Sequence, residues 1–189
     1  MVCFRAMADD PPVVNEEAEH LMVQAFANAV PRLQTERLLL REHRPVDFEA
    51  FAEHAADAES MVHLSAKDRE TAWRIFGLHA GLWLLHGAGW WIVELRETGQ
   101  VVGTVGAFFR EQSTEMEMGW HTYRDFWGRG IAVEAVAAMV NHAFEVRREP
   151  SVHALISERN ARSIGVATRL GLTYRRGGAV WEGDWEVCA

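Results

Sequence analysis

Two cysteines in 189 residues, Cys3 and Cys188, are too few for a disulfide framework, and no C-x-x-C pair is present to hold a metal or a redox couple. A reducing, cytoplasmic setting fits that scarcity best. No apolar run approaches the ~20 residues of a membrane span, so a membrane protein is not expected. A signal peptide is missing too, because Asp9, Asp10, Pro11 and Pro12 interrupt the N-terminal segment early. Basic charge is also short. The formal net charge of -8 excludes a general nucleic-acid binder, which needs clustered Lys and Arg. Nine histidines are present, but pairs such as His79 with His86, or His142 with His153, lack the H-E-x-x-H or Cys/His spacing of metal sites. They read as solvated or core histidines, and no metal is expected.

What is present is an ordinary globular composition, 49% hydrophobic and 24% charged, in a length that suits one domain. Residues 1–30 read as a polar tail followed by an amphipathic helix over 15–30, with Leu21, Met22, Ala25, Phe26 and Ala29 at helical spacing. That stripe suits packing on the domain or on a second subunit, so a homodimer is one reading. Residues 31–189 form the domain. A strand is expected over 33–41, a helix over 45–58 and a second helix over 68–86, which Gly87 and Gly89 stop. Strands follow at 90–95 and 101–109, turning at Gly99, and then at 115–122. A helix ends near residue 146, a strand covers 152–156, and Asn160 caps a helix over 161–170. The chain closes as a hairpin over 172–182 and 185–189. Three successive strands without helices between them predict an α+β fold with a mixed, largely antiparallel sheet of six to seven strands.

The stretch 115–138, E-M-E-M-G-W-H-T-Y-R-D-F-W-G-R-G-I-A-V-E-A-V-A-A, organises the chain. It reads as a strand, a turn at Gly128 and Gly130, and an unbroken helix. A helix that opens on glycines offers unpaired N–H groups and the positive end of its dipole, a place for phosphate. The dinucleotide fingerprint would need a third glycine, and a P-loop would need Gly-Lys-Ser/Thr; neither is present. There remains a compact cradle in which the amides of residues 127–132 face a pyrophosphate, with Arg129 adding charge.

W-G-R-G-I-A resembles the Q/R-x-x-G-x-G/A signature of the GNAT superfamily of acetyl-CoA-dependent N-acetyltransferases, and E-M-G-W with F-W-G-R-G-I-A-V-E-A is similar to its ribosomal-protein N-acetyltransferase branch. T-E-R-L-L-L-R and N-A-R-S-I-G-V-A-T-R-L-G-L resemble that branch's first strand and second CoA-side motif, so the likeness runs over about 32–189. It implies helices on both sheet faces and fourth and fifth strands that splay to admit the pantetheine arm. It further implies that Trp120, His121 and Thr122 offer backbone groups to that arm. Trp127, Gly128, Arg129, Gly130, Ile131 and Ala132 would hold the pyrophosphate. Asn160 reaches the cofactor in the family, and it also reads as a plain helix cap; the two roles coexist.

The implied reaction moves the acetyl group of acetyl-CoA, a co-substrate, to a primary amine, either a protein N-terminal α-amine or a small molecule. A protonated amine must first lose a proton. Glu115 and Glu117 share a strand face by the period of two, and Glu117 is the preferred base, its alternative being a solvated or salt-bridged carboxylate. The family's tyrosine acid, seven residues after the asparagine, is replaced here by Ala167. Ser163 and Tyr123 are the candidate acids, or the thiolate takes its proton from solvent; strand N–H groups serve as an alternative oxyanion hole. The missing tyrosine leaves a second reading of the chain, a non-catalytic acyl-CoA-binding or interaction module.

Overall fold

The backbone hydrogen bonds of the strands join into one eight-stranded sheet in the order β1-β2-β3-β4-β5-β6-β8-β7. The computed structural model describes residues 15–175 and 183–187. In chain order the elements are α1 (Glu16–Ala29), β1 (Leu33–Gln34), β2 (Leu38–Arg41), α2 (Phe48–Ala56), α3 (Arg69–His86), β3 (Gly89–Leu95), β4 (Val101–Phe108) and β5 (Met116–Thr122). Then come α4 (Ile131–Asn141), β6 (Val152–Ile156), α5 (Ala161–Arg169), β7 (Leu172–Arg175) and β8 (Gly183–Val187). The parts of the expected closing hairpin at 176–182 and 188–189 lie outside the described residues.

Helix boundaries follow local chemistry. The side chains of Asn15, Asp68 and Asn160 accept from the amides of Ala18, Thr71 and Ser163, covering donors that the first turn leaves free. Gly87 closes α3 at φ 61°, a conformation that favours glycine. The expected single strand over 33–41 is instead two strands. Thr35 turns the chain by donating its amide to the Leu38 carbonyl (3.0 Å) and accepting the Leu38 amide on Oγ1 (2.9 Å), so Leu33 pairs with Leu40. That split raises the strand count above the expected six to seven.

Alternation along β3 assigns the two faces. Trp91 and Val93 join a core with Leu38, Val136 and Met139 under α4, while Ile92 joins Phe48, Phe51 and Phe76 under α2 and α3. On the second face Arg41 is buried with Asp47, in the 3-10 turn Pro45–Asp47 that starts α2. Its guanidinium donates twice to the Asp47 carboxylate (2.8 and 2.8 Å) and once to Glu94 (2.7 Å). Burial opposes the Arg41 charge, but these carboxylates outweigh it and raise the guanidinium pKa above its ordinary value. Asp47 also accepts the Arg44 amide at 2.8 Å, so the Arg41 guanidinium ties β2 to β3 through Glu94 and to the start of α2 through Asp47.

Every strand pairing is antiparallel except β5 with β6. That parallel pair is short: Met116, Glu117 and Met118 face Val152, His153 and Ala154, and the strands then part. Over residues 119–122, β5 keeps its β4 partners Gly106 to Gly103 and, among the described residues, has no strand on its other edge.

Candidate active site

A 3-10 turn, Arg124–Phe126, leads from β5 to Gly128 and Gly130, at φ 74° and 75°, and Gly130 is the N-cap of α4. Positive φ at both positions folds the loop so that its amides converge ahead of the helix. The Trp127 amide, expected to face the ligand, instead closes the turn by donating to the Arg124 carbonyl at 3.1 Å. The six amides from Gly128 to Val133 have no hydrogen-bond partner among the described residues. A Cβ on Gly128 would meet no atom within 4 Å, so the loop faces open space there. That space belongs to a cleft of about 710 Å³ between α4 and α5, lined by Trp127, Ile131, Ala132, Arg162, Ser163 and Arg169 among others.

The cradle is fastened from two sides. The Trp127 indole donates to the Thr122 carbonyl (2.7 Å), and the Arg162 guanidinium lies 3.9 Å over its ring. Arg37 donates to the Arg129 carbonyl (3.0 Å) and to Glu134 in the first turn of α4 (2.7 Å). Glu134 also accepts from the Thr35 hydroxyl (2.5 Å) and the Arg37 amide (3.0 Å). Burial pushes the Glu134 carboxyl up, and the hydrogen bonds from Thr35 and Arg37 more than reverse that, so its pKa falls below the usual range. With the Glu134 charge offset by Arg37, the helix dipole, Arg162 and Arg169 set the sign of the cleft. The sequence reading found Arg129 and missed Arg37, which lies 92 residues away in the chain and reaches the loop only through the β1–β2 turn.

Where β5 and β6 part, cavities lie on both sides of the sheet. Trp120 lines both the cleft and a cavity of about 500 Å³ on the opposite face; His121 and Asn160 line the cavity, and Thr122 lines the cleft. Glu117 sits in the same cavity, at the last stretch where the strands still pair. It is 6% exposed and held by a two-pronged ion pair with Arg110 that includes a 2.6 Å contact, with His153 Nε2 4.0 Å away. Ser163 lies in the α4–α5 cleft, away from Glu117. Tyr123 is buried under α2 and stacked on His54 at 4.7 Å, and burial raises its phenol pKa. The structure therefore groups the cradle residues with Ser163, and groups Glu117 with His121 and Asn160. Neither acid candidate lines the cavity that holds Glu117.

Beside this cavity runs a ribbon of rings that the sequence did not reveal, since its members come from the β2 end, α2, α3, β3 and β5. His43 meets His79 edge-on at 5.9 Å, His79 stacks on Trp90 at 4.2 Å, Trp90 stacks on His121 at 5.7 Å, and His121 meets His54 at 5.4 Å. Burial holds these imidazoles neutral: His43, His54 and His121 are pushed down to about 4, and His79 well below its ordinary value. The unfolded chain protonates the same groups near pH 6.5, so it binds more protons than the folded one between about pH 6.5 and 4, and stability falls as pH falls through that window. Tm is expected to drop from pH 7 to pH 5, with an uptake of about three to four protons on unfolding near pH 5. A flat Tm over that range would mean that the imidazoles are solvated.

Among the described residues no group of three or more His, Cys, Asp and Glu side chains is placed to hold a metal ion, and no helix is long and apolar enough to cross a membrane. The profile of the acetyltransferase (GNAT) domain family matches residues 37–173. The chain is 36% identical over 93 residues to the uncharacterized protein YkkB of Bacillus subtilis, a match over 48% of this chain that spans only 54% of that relative. The crystal structure of an acetyltransferase from Agrobacterium tumefaciens superposes with TM-score 0.78 at 30% identity, covering 85% of this chain and 95% of that one. RimL, the ribosomal L7/L12 alpha-N-protein acetyltransferase solved with coenzyme A, shares the fold at TM-score 0.68 and 13% identity, over 82% of this chain and 96% of its own.

Proposed function

This chain belongs to the GNAT acetyltransferase family and is an acetyl-CoA-dependent acyltransferase, and from that premise we propose that its acceptor is a primary amine that enters from the α2–α3 face. The observation that carries the reading is the parting of β5 and β6 after Met118, with an anion cradle on one side of the sheet, the buried carboxylate of Glu117 on the other, and Trp120 lining both cavities. Six free amides, the α4 dipole and Arg162 suit a pyrophosphate, and the open space over Gly128 leaves room for one. The free edge of Gly119–Thr122 offers backbone groups to a slim amide-bearing arm. When bound, acetyl-CoA supplies an activated thioester.

The remaining work falls to the chain's own side chains. Glu117 takes the proton that an ammonium must lose before it can attack; burial keeps the carboxylate in place, and Arg110 pairs with it while no acceptor is bound. Asn160 caps α5 through Oδ1 while lining the cavity, which orients it toward both tasks. Whether the amine belongs to a protein N-terminus or to a small molecule, it must reach Glu117 past the loop that carries His63 and Leu64. The test is a thiol-release screen over amine classes with wild type and Glu117→Gln. Wild type should turn over at least one class. Glu117→Gln should lose about 100-fold in kcat, the usual contribution of a positioned base, while CoA still raises its Tm as it does in wild type. Equal turnover by the variant would remove Glu117 from the mechanism.

A further inference from the structure

The acceptor-side cavity is more selective than the reaction requires. On this face the register sets Phe108 opposite Glu117, Gly106 opposite Gly119 and Thr104 opposite His121. The two glycines make room for one ring: a Cβ on either would come within 3.0 Å of the Trp90 indole. His79 stacks near-parallel on Trp90, 4.2 Å away at 5°, and Phe108 continues the wall at 5.5 Å. With both faces covered Trp90 is only 7% exposed and gives the cavity a rigid aromatic edge, while half-buried Phe108 supplies more of the open apolar wall, so an apolar group meets a surface that needs no ordering. Leu64, Leu155 and Ile156 extend the apolar lining.

Charge in the cavity is sparse and balanced. Among the described residues its only carboxylate is Glu117, already paired with Arg110, and the other titratable lining groups are His63 and His121. A polyamine or an aminoglycoside would bring several cations to one spoken-for anion. The pair is nonetheless asymmetric, because the Arg110 side chain is 61% exposed and that of Glu117 only 8%. The guanidinium can therefore swing to a new anion in solvent while the carboxylate stays fixed. An opened Arg110–Glu117 pair presents one cation and one anion side by side, beside an aromatic wall.

We propose that, given acetyl transfer as set out above, the acceptor is a free α-amino acid with an aromatic or large apolar side chain. Its carboxylate takes Arg110, its ammonium lies against Glu117, and its side chain packs on Trp90 and Phe108. The ammonium gives one proton to the Glu117 carboxylate. The amine nitrogen then bonds the acyl carbon as the C–S bond breaks, and its second proton leaves with the sulfur, so the products are an N-acetyl amino acid and a free thiol.

Steady-state kinetics with acetyl-CoA and five amines test this: L-phenylalanine, glycine, L-phenylalaninamide, a phenylalanine-led tripeptide and spermidine. Phenylalanine should exceed its amide in kcat/KM by about 30-fold, the worth of a hydrogen-bonded charge, and glycine should fall well below phenylalanine. Arg110→Gln should collapse the acid-to-amide ratio toward one, and Arg110→Lys should restore part of it. An amide or tripeptide used as well as the free acid would overturn the assignment in favour of a peptide N-terminus, and turnover of spermidine alone would overturn it in favour of a polycation. A ratio that survives Arg110→Gln would overturn the role of Arg110. If no amine releases thiol although CoA raises Tm, acetyl transfer itself falls, an outcome distinct from a wrong acceptor.

Discussion

Gly130→Glu should abolish coenzyme A binding. The new carboxylate would stand at the N-cap of α4, among the six free amides that the pyrophosphate needs. Two like charges ~4 Å apart at an effective dielectric constant of about 20 repel by ~4 kcal/mol, about a thousandfold in Kd. Glutamate must also adopt φ near 75°, which costs about 1–2 kcal/mol for a residue with a Cβ. The fold should survive, because the nearest atom to a Cβ there is the end of the Arg37 side chain at 3.5 Å. Thermal shift separates the two effects. A ligand at 100 times its Kd adds ~2.7 kcal/mol to wild type; the variant should melt a few degrees lower and show no ligand shift at all. Gly128→Ala is the graded companion, since its methyl would meet nothing in the chain and intrude only on a ligand. A normal CoA shift in Gly130→Glu would move the anion site elsewhere.

Asp47→Ala should be the most destabilising single substitution on the α2 side of the sheet. It leaves Arg41, whose side chain is 3% exposed, with Glu94 as its one carboxylate partner beside the Glu42 carbonyl, and it orphans the Arg44 amide. Removing one partner of a buried ion pair costs about 3–5 kcal/mol, because the remaining charge stays desolvated. At about 2–4 °C per kcal/mol for a chain of this size, Tm should fall by about 10 °C. Arg41→Met combined with Asp47→Leu should recover most of that loss, since the pair as a whole contributes little beyond what apolar side chains of similar volume would. A double variant no more stable than Asp47→Ala would show that the carboxylate's hydrogen bond to α2 matters more than its charge.

Much of the fold was legible because its signals are local. Caps at Asn15, Asp68 and Asn160 and the stop at Gly87 each lie within one turn of the helix end they mark. The glycine pair at Gly128 and Gly130 located the cradle for the same reason. What escaped is what the topology assembles. Thr35 bends the first strand through a side-chain hydrogen bond that no periodicity encodes. Arg37 reaches Arg129 across most of the chain, and Arg110 reaches Glu117 across a turn whose shape the sequence did not disclose. Five histidines spaced irregularly along the chain, His43, His54, His63, His79 and His121, gave no metal spacing, yet four of them come together around Trp90. The Trp127 amide failed as a phosphate donor because the 3-10 turn before it consumes its hydrogen.

The short β5–β6 pairing bears on how the molecule opens. Three residue pairs join β1–β5 to the strands of the C-terminal part, while β3 and β4 share six register pairs. The sheet therefore has a seam, and sub-global opening should begin along it, with β6 to β8 exchanging their amide hydrogens as a unit before the N-terminal strands do. A molecule lodged in that seam bridges two cooperative blocks as well as filling a cavity. Its binding energy is then felt as rigidity across the whole C-terminal part of the protein, well beyond the residues it touches.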